Sequence, residues 1–173
     1  MLIEKPEDVS MNKLILSMAL TLAALCALPG QGDAAEIGKS QTILRNGEFP
    51  TARGSDQFFT GSVRVEQLYP ANNDMRSSVG VVTFEPGARS NWHIHPVGQA
   101  LIVTSGVGLT QEWGKPIQVI RAGDVVICPV NVKHWHGAAP NSAMTHISIC
   151  EEKEPGKVVV WMEKVTDEQY NAR

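Results

Sequence analysis

All five histidines of the chain fall between positions 93 and 146: His93, His95, His134, His136 and His146. Imidazole serves both as a metal ligand and as a proton carrier near neutral pH, so a cluster of this kind points to one of those two tasks. Side chains two apart on a strand point the same way, so His93 and His95 share a face, and so do His134 and His136. Either pair alone reads better as partly exposed or hydrogen-bonded histidine. Both pairs together, flanked by turn residues at matched offsets, favour convergence on one ion. From Ala88 to Ile149 the only acidic residues are Glu112 and Asp124. One sits in a Gln-Glu-Trp-Gly turn and the other follows a turn glycine, so both read as solvated or turn-capping. A proton carrier in this stretch is therefore a histidine. His146 alternates with Met144 and Ser148 on one face of its strand, where it reads as the base or, alternatively, as a satisfied core histidine or a partner of the ligands.

The elements that must hold these side chains are short strands. From Phe58 onward β-rich runs alternate with turn residues: Thr60 to Leu68, Ser78 to Phe84, Gln99 to Thr104, Ile117 to Ile120, Asp124 to Cys128, Ala143 to Cys150 and Lys157 to Met162. So many short strands with so little helix predict an all-β barrel or jelly roll. Thr166-Asp-Glu-Gln-Tyr is the one helix candidate, with Thr166 as cap and Asp167 and Glu168 suited to the helix dipole. The polar, Gly-rich stretch before Phe58 has no period that a core could use and reads as an arm. With 15 Lys and Arg against 18 Asp and Glu, the 173-residue chain carries a formal charge of −3, which offers no basic face to nucleic acid.

The offsets around the histidines carry a family resemblance. Gly87-x5-His93-x-His95-x3-Gln99-x6-Gly106 resembles the first cupin motif, and Gly123-x5-Pro129-x-Asn131-x2-His134 resembles the second. The chain departs from the general pattern at Gln99, where a glutamate is usual, at Asn131, where a glycine is usual, and at Ala138, which stands for the closing asparagine. A closer resemblance covers nearly all of Phe58 to Tyr170 and is to small bacterial cupins with manganese-dependent hydroxynitrile lyase activity. It rests on Phe59-Thr-Gly-Ser-Val-Arg, Thr83-Phe-Glu-Pro-Gly-Ala-Arg, Trp92-His-Ile-His-Pro, Gly98-Gln-Ala-Leu-Ile-Val-Thr, Lys133-His-Trp-His-Gly-Ala-Ala-Pro, Ala143-Met-Thr-His and Trp161-Met-Glu-Lys-Val. Within that group a Gln ligand is normal. The resemblance implies a single cupin jelly-roll β-barrel, the double-stranded β-helix, with a short C-terminal tail. It also implies His93, His95, Gln99 and His134 as metal ligands, His146 as the proton-transfer residue and His136 as a second polar group of the pocket.

Three neutral imidazoles and a neutral amide oxygen leave the whole charge of a divalent cation uncompensated by protein, whereas a glutamate would halve it. Such ligands with open positions suit Mn2+ or, as an alternative, Fe2+, and the absence of thiolate argues against a structural zinc site. The cation would polarise a hydroxyl and stabilise the alkoxide as its proton leaves. The resemblance implies the first of three functions that this set would serve. The first is a lyase that splits cyanohydrins such as mandelonitrile into an aldehyde and hydrogen cyanide. The second is a non-haem metal dioxygenase, and the third a non-catalytic cupin that captures a small metabolite; fold analogy does not choose among them. Val82, Leu101 and Val103 are expected to wall an apolar cavity, with Cys150 and Met144 either lining it or packing in the core. Trp92 and Trp135 neighbour ligand histidines, point to the opposite face and read as packing. Ser90 reads as a hydrogen-bonding partner of a bound hydroxyl or as a turn residue.

The apolar run Leu14 to Leu28 follows Met11-Asn12-Lys13 and leads into Pro-Gly-Gln-Gly-Asp-Ala-Ala, with Gly32 and Ala34 placed as a cleavage site requires. Residues 1–35 are thus read as a secretory signal peptide, with Met11 the better start, 36–55 as the arm and 56–173 as the cupin domain. The expected product is periplasmic or secreted, acts on a small molecule, and engages neither nucleic acid nor, after cleavage, a membrane. Exposed strand edges favour a symmetric homo-oligomer and leave the number of copies open. Cys128 and Cys150 sit in apolar, strand-like runs and are read as free, buried thiols, although export would permit a disulfide.

Overall fold

The computed structural model describes residues 40–172, so the leader and the start of the arm lie outside the described residues. In chain order the strands are β1 (Thr51–Arg53), β2 (Phe59–Thr60), β3 (Val63–Tyr69), β4 (Ser77–Phe84), β5 (Arg89–Ser90), β6 (His93–Ile94) and β7 (Gln99–Glu112). They continue with β8 (Gln118–Arg121), β9 (Val125–Cys128), β10 (His134–Ala138), β11 (Met144–Glu151) and β12 (Val160–Trp161), before the helix α1 (Asp167–Asn171). Every pairing is antiparallel, and the main path runs β1-β3-β4-β11-β7-β10-β5-β2. β6 joins β10 and β12, while β8 and β9 both pair with β7. The sheet curls on itself as the jelly roll expected from the sequence.

β7 is the spine. Its first residues, Gln99 to Ile102, lie between β9 and β11, and Val107 to Thr110 lie between β8 and β10, so one strand serves both halves of the barrel. The sequence suggests a strand ending at Thr104, but the observed one continues to Glu112. Gly106 makes this continuation possible: its φ is 75°, and a Cβ there would stand 1.9 Å from the Ala143 carbonyl oxygen.

Other departures have equally local causes. Gly61, at φ 83°, separates β2 from β3 where a single run over Thr60 to Leu68 is expected. Only Val160–Trp161 of the run ending at Met162 pairs as a strand. The end of the arm is ordered, because Thr51–Arg53 pairs with Arg64 to Glu66 at the edge of the sheet. Asn131 takes φ 59° and donates its N–H to the His95 carbonyl, and asparagine is among the few residues that tolerate the left-handed region where the motif carries glycine.

Two apolar clusters flank the barrel wall. The inner one gathers Phe59, Val63, Val82, Phe84, Val103 and Met144. The outer one joins Trp92, Leu109 and Trp135 to Val165 and Tyr170 of the C-terminal tail, so both tryptophans do face away from the histidine side, as the alternation requires. The tail is fastened by polar contacts as well. The buried guanidinium of Arg89 donates to the Val165 carbonyl at 3.0 Å and to Asp167 at 2.6 Å, and the Tyr170 hydroxyl donates to the Ala138 carbonyl at 2.8 Å. Thr166 caps α1, as its sequence predicts, and the structure adds a full capping box with Gln169. Cys128 and Cys150 are both buried thiols outside any disulfide among the described residues. They flank Gln99 on opposite sides of β7, two strand spacings or about 10 Å apart, which is beyond the reach of a disulfide.

Candidate metal centre

The H-x-H pairs meet because β6 and β10 are antiparallel neighbours in which His93 lies directly opposite His134. His95 follows one residue beyond β6. Available nitrogens of His93, His95 and His134 all lie within 4.8 Å of one another, and all three rings are buried. Their orientation is set by the backbone. Nδ1 of His93 lies 2.9 Å from the Asn91 carbonyl, Nδ1 of His95 lies 2.8 Å from that of Val158, and Nδ1 of His134 lies 2.9 Å from that of Val132. Each Nδ1 therefore carries the proton and donates it to a carbonyl, leaving each Nε2 lone pair free to bind a cation. Nε2 of His95 is buried with no partner among the described residues, an expensive state for a polar atom that a metal would relieve. Gln99 completes the group with Oε1 at 3.4 Å from His134 Nε2. Three imidazole nitrogens and one amide oxygen fit a divalent ion of borderline hardness.

His136 and His146 lie to one side of this group. Their ring centroids are 4.9 Å apart, and the His136 ring is 5.2 Å from that of His93. Among the described residues, no side chain meets either nitrogen of His146 or Nδ1 of His136. Desolvation holds all five rings neutral. It lowers His95 to about 4 against the opposing hydrogen bond to Val158, and His146 also to about 4 against an opposing backbone interaction with Ile147. His93 and His136 are pushed well below the usual imidazole range by burial, reinforced by neighbouring rings, and His134 is lowered as well.

The histidines open into a cavity whose apolar wall includes Phe59, Val65, Val82, Phe84, Val158 and Trp161. Among the described residues, no Asp, Glu, Lys or Arg lines it. Val82 and Cys150 take the places expected of them, whereas Leu101, Val103 and Met144 are packed in the interior and do not line it. The Ser90 hydroxyl faces the protein rather than the cavity: it accepts the His136 backbone N–H at 3.2 Å and lies 3.5 Å from His93 Nδ1. The sequence reasoning did not assign the aromatic wall of Phe59 and Trp161, although both sit in the quoted signatures. It also missed the Val158 carbonyl, which as a backbone group leaves no mark in the sequence.

A jelly-roll barrel with a three-histidine cluster inside defines a cupin. The cupin domain family matches residues 80–150, and the chain belongs to it. It is 50% identical over 128 residues to an (R)-mandelonitrile lyase of Granulicella tundricola, a match covering 74% of this chain and 97% of that protein. Among solved structures, a cupin-like protein from Thermotoga maritima is 47% identical with a TM-score of 0.66, over 70% of this chain and 91% of that one. A cupin-2 domain protein from Rhodospirillum rubrum shares the fold at 17% identity, with a TM-score of 0.56 over 66% and 77% of the two chains.

Proposed function

We propose that the chain is a metal-dependent lyase that cleaves cyanohydrins such as mandelonitrile into an aldehyde and hydrogen cyanide. The observation that carries this reading is His146, a buried neutral imidazole whose nitrogens meet no side-chain partner among the described residues, beside a three-histidine cluster in a cavity whose described lining holds no Asp, Glu, Lys or Arg. Half identity to a protein named as a mandelonitrile lyase supports it.

His93, His95, Gln99 and His134 would hold the ion, with Mn2+ the favoured metal and Fe2+ the alternative. When bound, such an ion supplies a Lewis acid that favours ionisation of a hydroxyl brought to it. The apolar wall takes the organic substituent and excludes water. His146 accepts the hydroxyl proton at a ring nitrogen. The oxygen electrons then form the carbonyl as the carbon–carbon bond breaks, and that bonding pair leaves on cyanide. The proton passes from the His146–His136 pair to cyanide, so hydrogen cyanide departs and His146 is again neutral.

The reading is tested by metal analysis of the purified protein together with an anaerobic assay of cyanide release from mandelonitrile, before and after metal removal by chelation. Release that needs the metal and not oxygen is expected. Turnover that requires oxygen would favour the dioxygenase, and ligand binding without turnover the binding module.

Two further expectations accompany this reading. The enzyme acts after export, in the periplasm or outside the cell, and it works as a homo-oligomer. For the latter, the outer face of the sheet supports an interface: Ile127 and Val125 of β9 stand 67% and 59% exposed. They continue an apolar surface through Ala100 and Ile102, Ile149 and Ile147, and Val79 and Val81.

A further inference from the structure

Gln99 can serve a cation only through its oxygen, because the amide nitrogen offers no lone pair. A carboxamide can present either end at almost the same steric cost, so something must choose. Both N–H bonds of Gln99 are engaged on the side away from the histidines. Nε2 donates to Ser148 Oγ at 3.0 Å and to Cys150 Sγ at 3.5 Å, and that hydroxyl and thiol lie 3.4 Å from each other. Oε1 is thereby turned towards His134 Nε2, 3.4 Å away. The strand register produces this clamp: Cys150 lies opposite Gln99 and Ser148 opposite Leu101, and alternation along β11 puts both on the face that carries His146.

We propose that Ser148, assisted by Cys150, is a positioning residue that fixes the rotation of the Gln99 carboxamide so that its oxygen faces the metal. The proposal rests on the reading of Gln99 as the fourth ligand. It assigns one strand two duties, since β11 carries His146 and also orients a ligand of the neighbouring strand. With the hydroxyl removed, the amide samples the rotation that turns its NH2 group to the cation, and the metal must select against it.

The test uses metal-free protein titrated with manganese(II), with free ion followed by electron paramagnetic resonance. Ser148→Ala should bind roughly tenfold to hundredfold more weakly, the range found when a partner that orients a ligand is removed. Ser148→Thr keeps the hydroxyl and should restore the affinity to within about threefold. The decisive comparison repeats Ser148→Ala in a Gln99→Glu background. A carboxylate has two equivalent oxygens and no wrong end, so there the same change should shift affinity by less than about threefold. Equal losses in both backgrounds would mean a general packing role and overturn the proposal. Unchanged affinity in Ser148→Ala alone would overturn it too. A parent protein that takes up no manganese would remove the ligand reading itself, and the positioning role with it.

Discussion

Replacing His146 by leucine separates a working histidine from a structural one. Burial lowers the folded-state pKa of His146 from 6.5 to about 4. In the unfolded chain the ring regains its ordinary value. Above pH 6.5 both states are neutral and His146 adds no pH dependence. Between 6.5 and about 4 only the unfolded state gains the proton, so stability falls with pH; below that both states are protonated and the curve levels. At roughly 1.4 kcal/mol for each pH unit, the loss between pH 7 and pH 4 is about 3 kcal/mol. Leucine has similar bulk, no titrating group and no polar atom to leave unpaired. His146→Leu should therefore remove that share of the slope. It should also stabilise the neutral protein by about 1 to 3 kcal/mol, the usual cost of an unsatisfied buried polar group. Cyanohydrin cleavage should meanwhile fall by about two to four orders of magnitude, as when general acid–base help is lost. Urea unfolding of metal-free parent and variant at pH 7 and pH 4 reads the share of His146 together with the repulsion it exerts on His136 and His93. The rate of cyanide release is then read on metal-loaded protein. A variant whose stability fell with pH in parallel with the parent, or one that was less stable at pH 7 and equally active, would make His146 a satisfied core residue and refute the argument.

Gln99→Glu should keep manganese bound, by metal analysis, and lose most of its mandelonitrile cleavage, because a carboxylate cancels one unit of the charge that the reacting oxygen needs. Undiminished cleavage would defeat the charge argument, and a gain of oxygen uptake would favour the dioxygenase. Mass spectrometry of protein recovered from exporting cells should find a new N-terminus after Ala34 or Ala35, and an intact Leu14 to Leu28 would exclude a cleaved leader. Light scattering after gel filtration should show more than one copy per particle, with Ile127→Asp shifting it towards the monomer; a monomeric parent would discard the interface.

Legibility in the sequence followed the physical signal each element carries. β4 and β11 are long and alternate, and their ends lie within a residue or two of the expected ones. α1 declares itself through Thr166 and Gln169. β5 and β6 have two residues each, too few for any period, and β10 is buried on both faces, which erases the alternation. The histidine pairs were visible because spacing of two fixes a common face whatever the strand length. What spacing does not reveal is which ring nitrogen is free, because that depends on the carbonyls of Asn91, Val132 and Val158. The clamp on Gln99 escaped for a related reason. Ser148 and Cys150 are small residues of a neighbouring strand, and only the register of β11 on β7 brings them to the amide.

The bond from His95 to the Val158 carbonyl joins residues 63 positions apart and comes late in the chain. The ring is aimed only after β11 has been made and the segment behind it has closed over the barrel. A chain still leaving the ribosome has its first H-x-H pair long before it has the group that orients His95. Under the proposed metal reading, the ligand set would be complete only once the segment around Val158 has folded against the barrel, so that segment rather than the H-x-H pair would time ion capture.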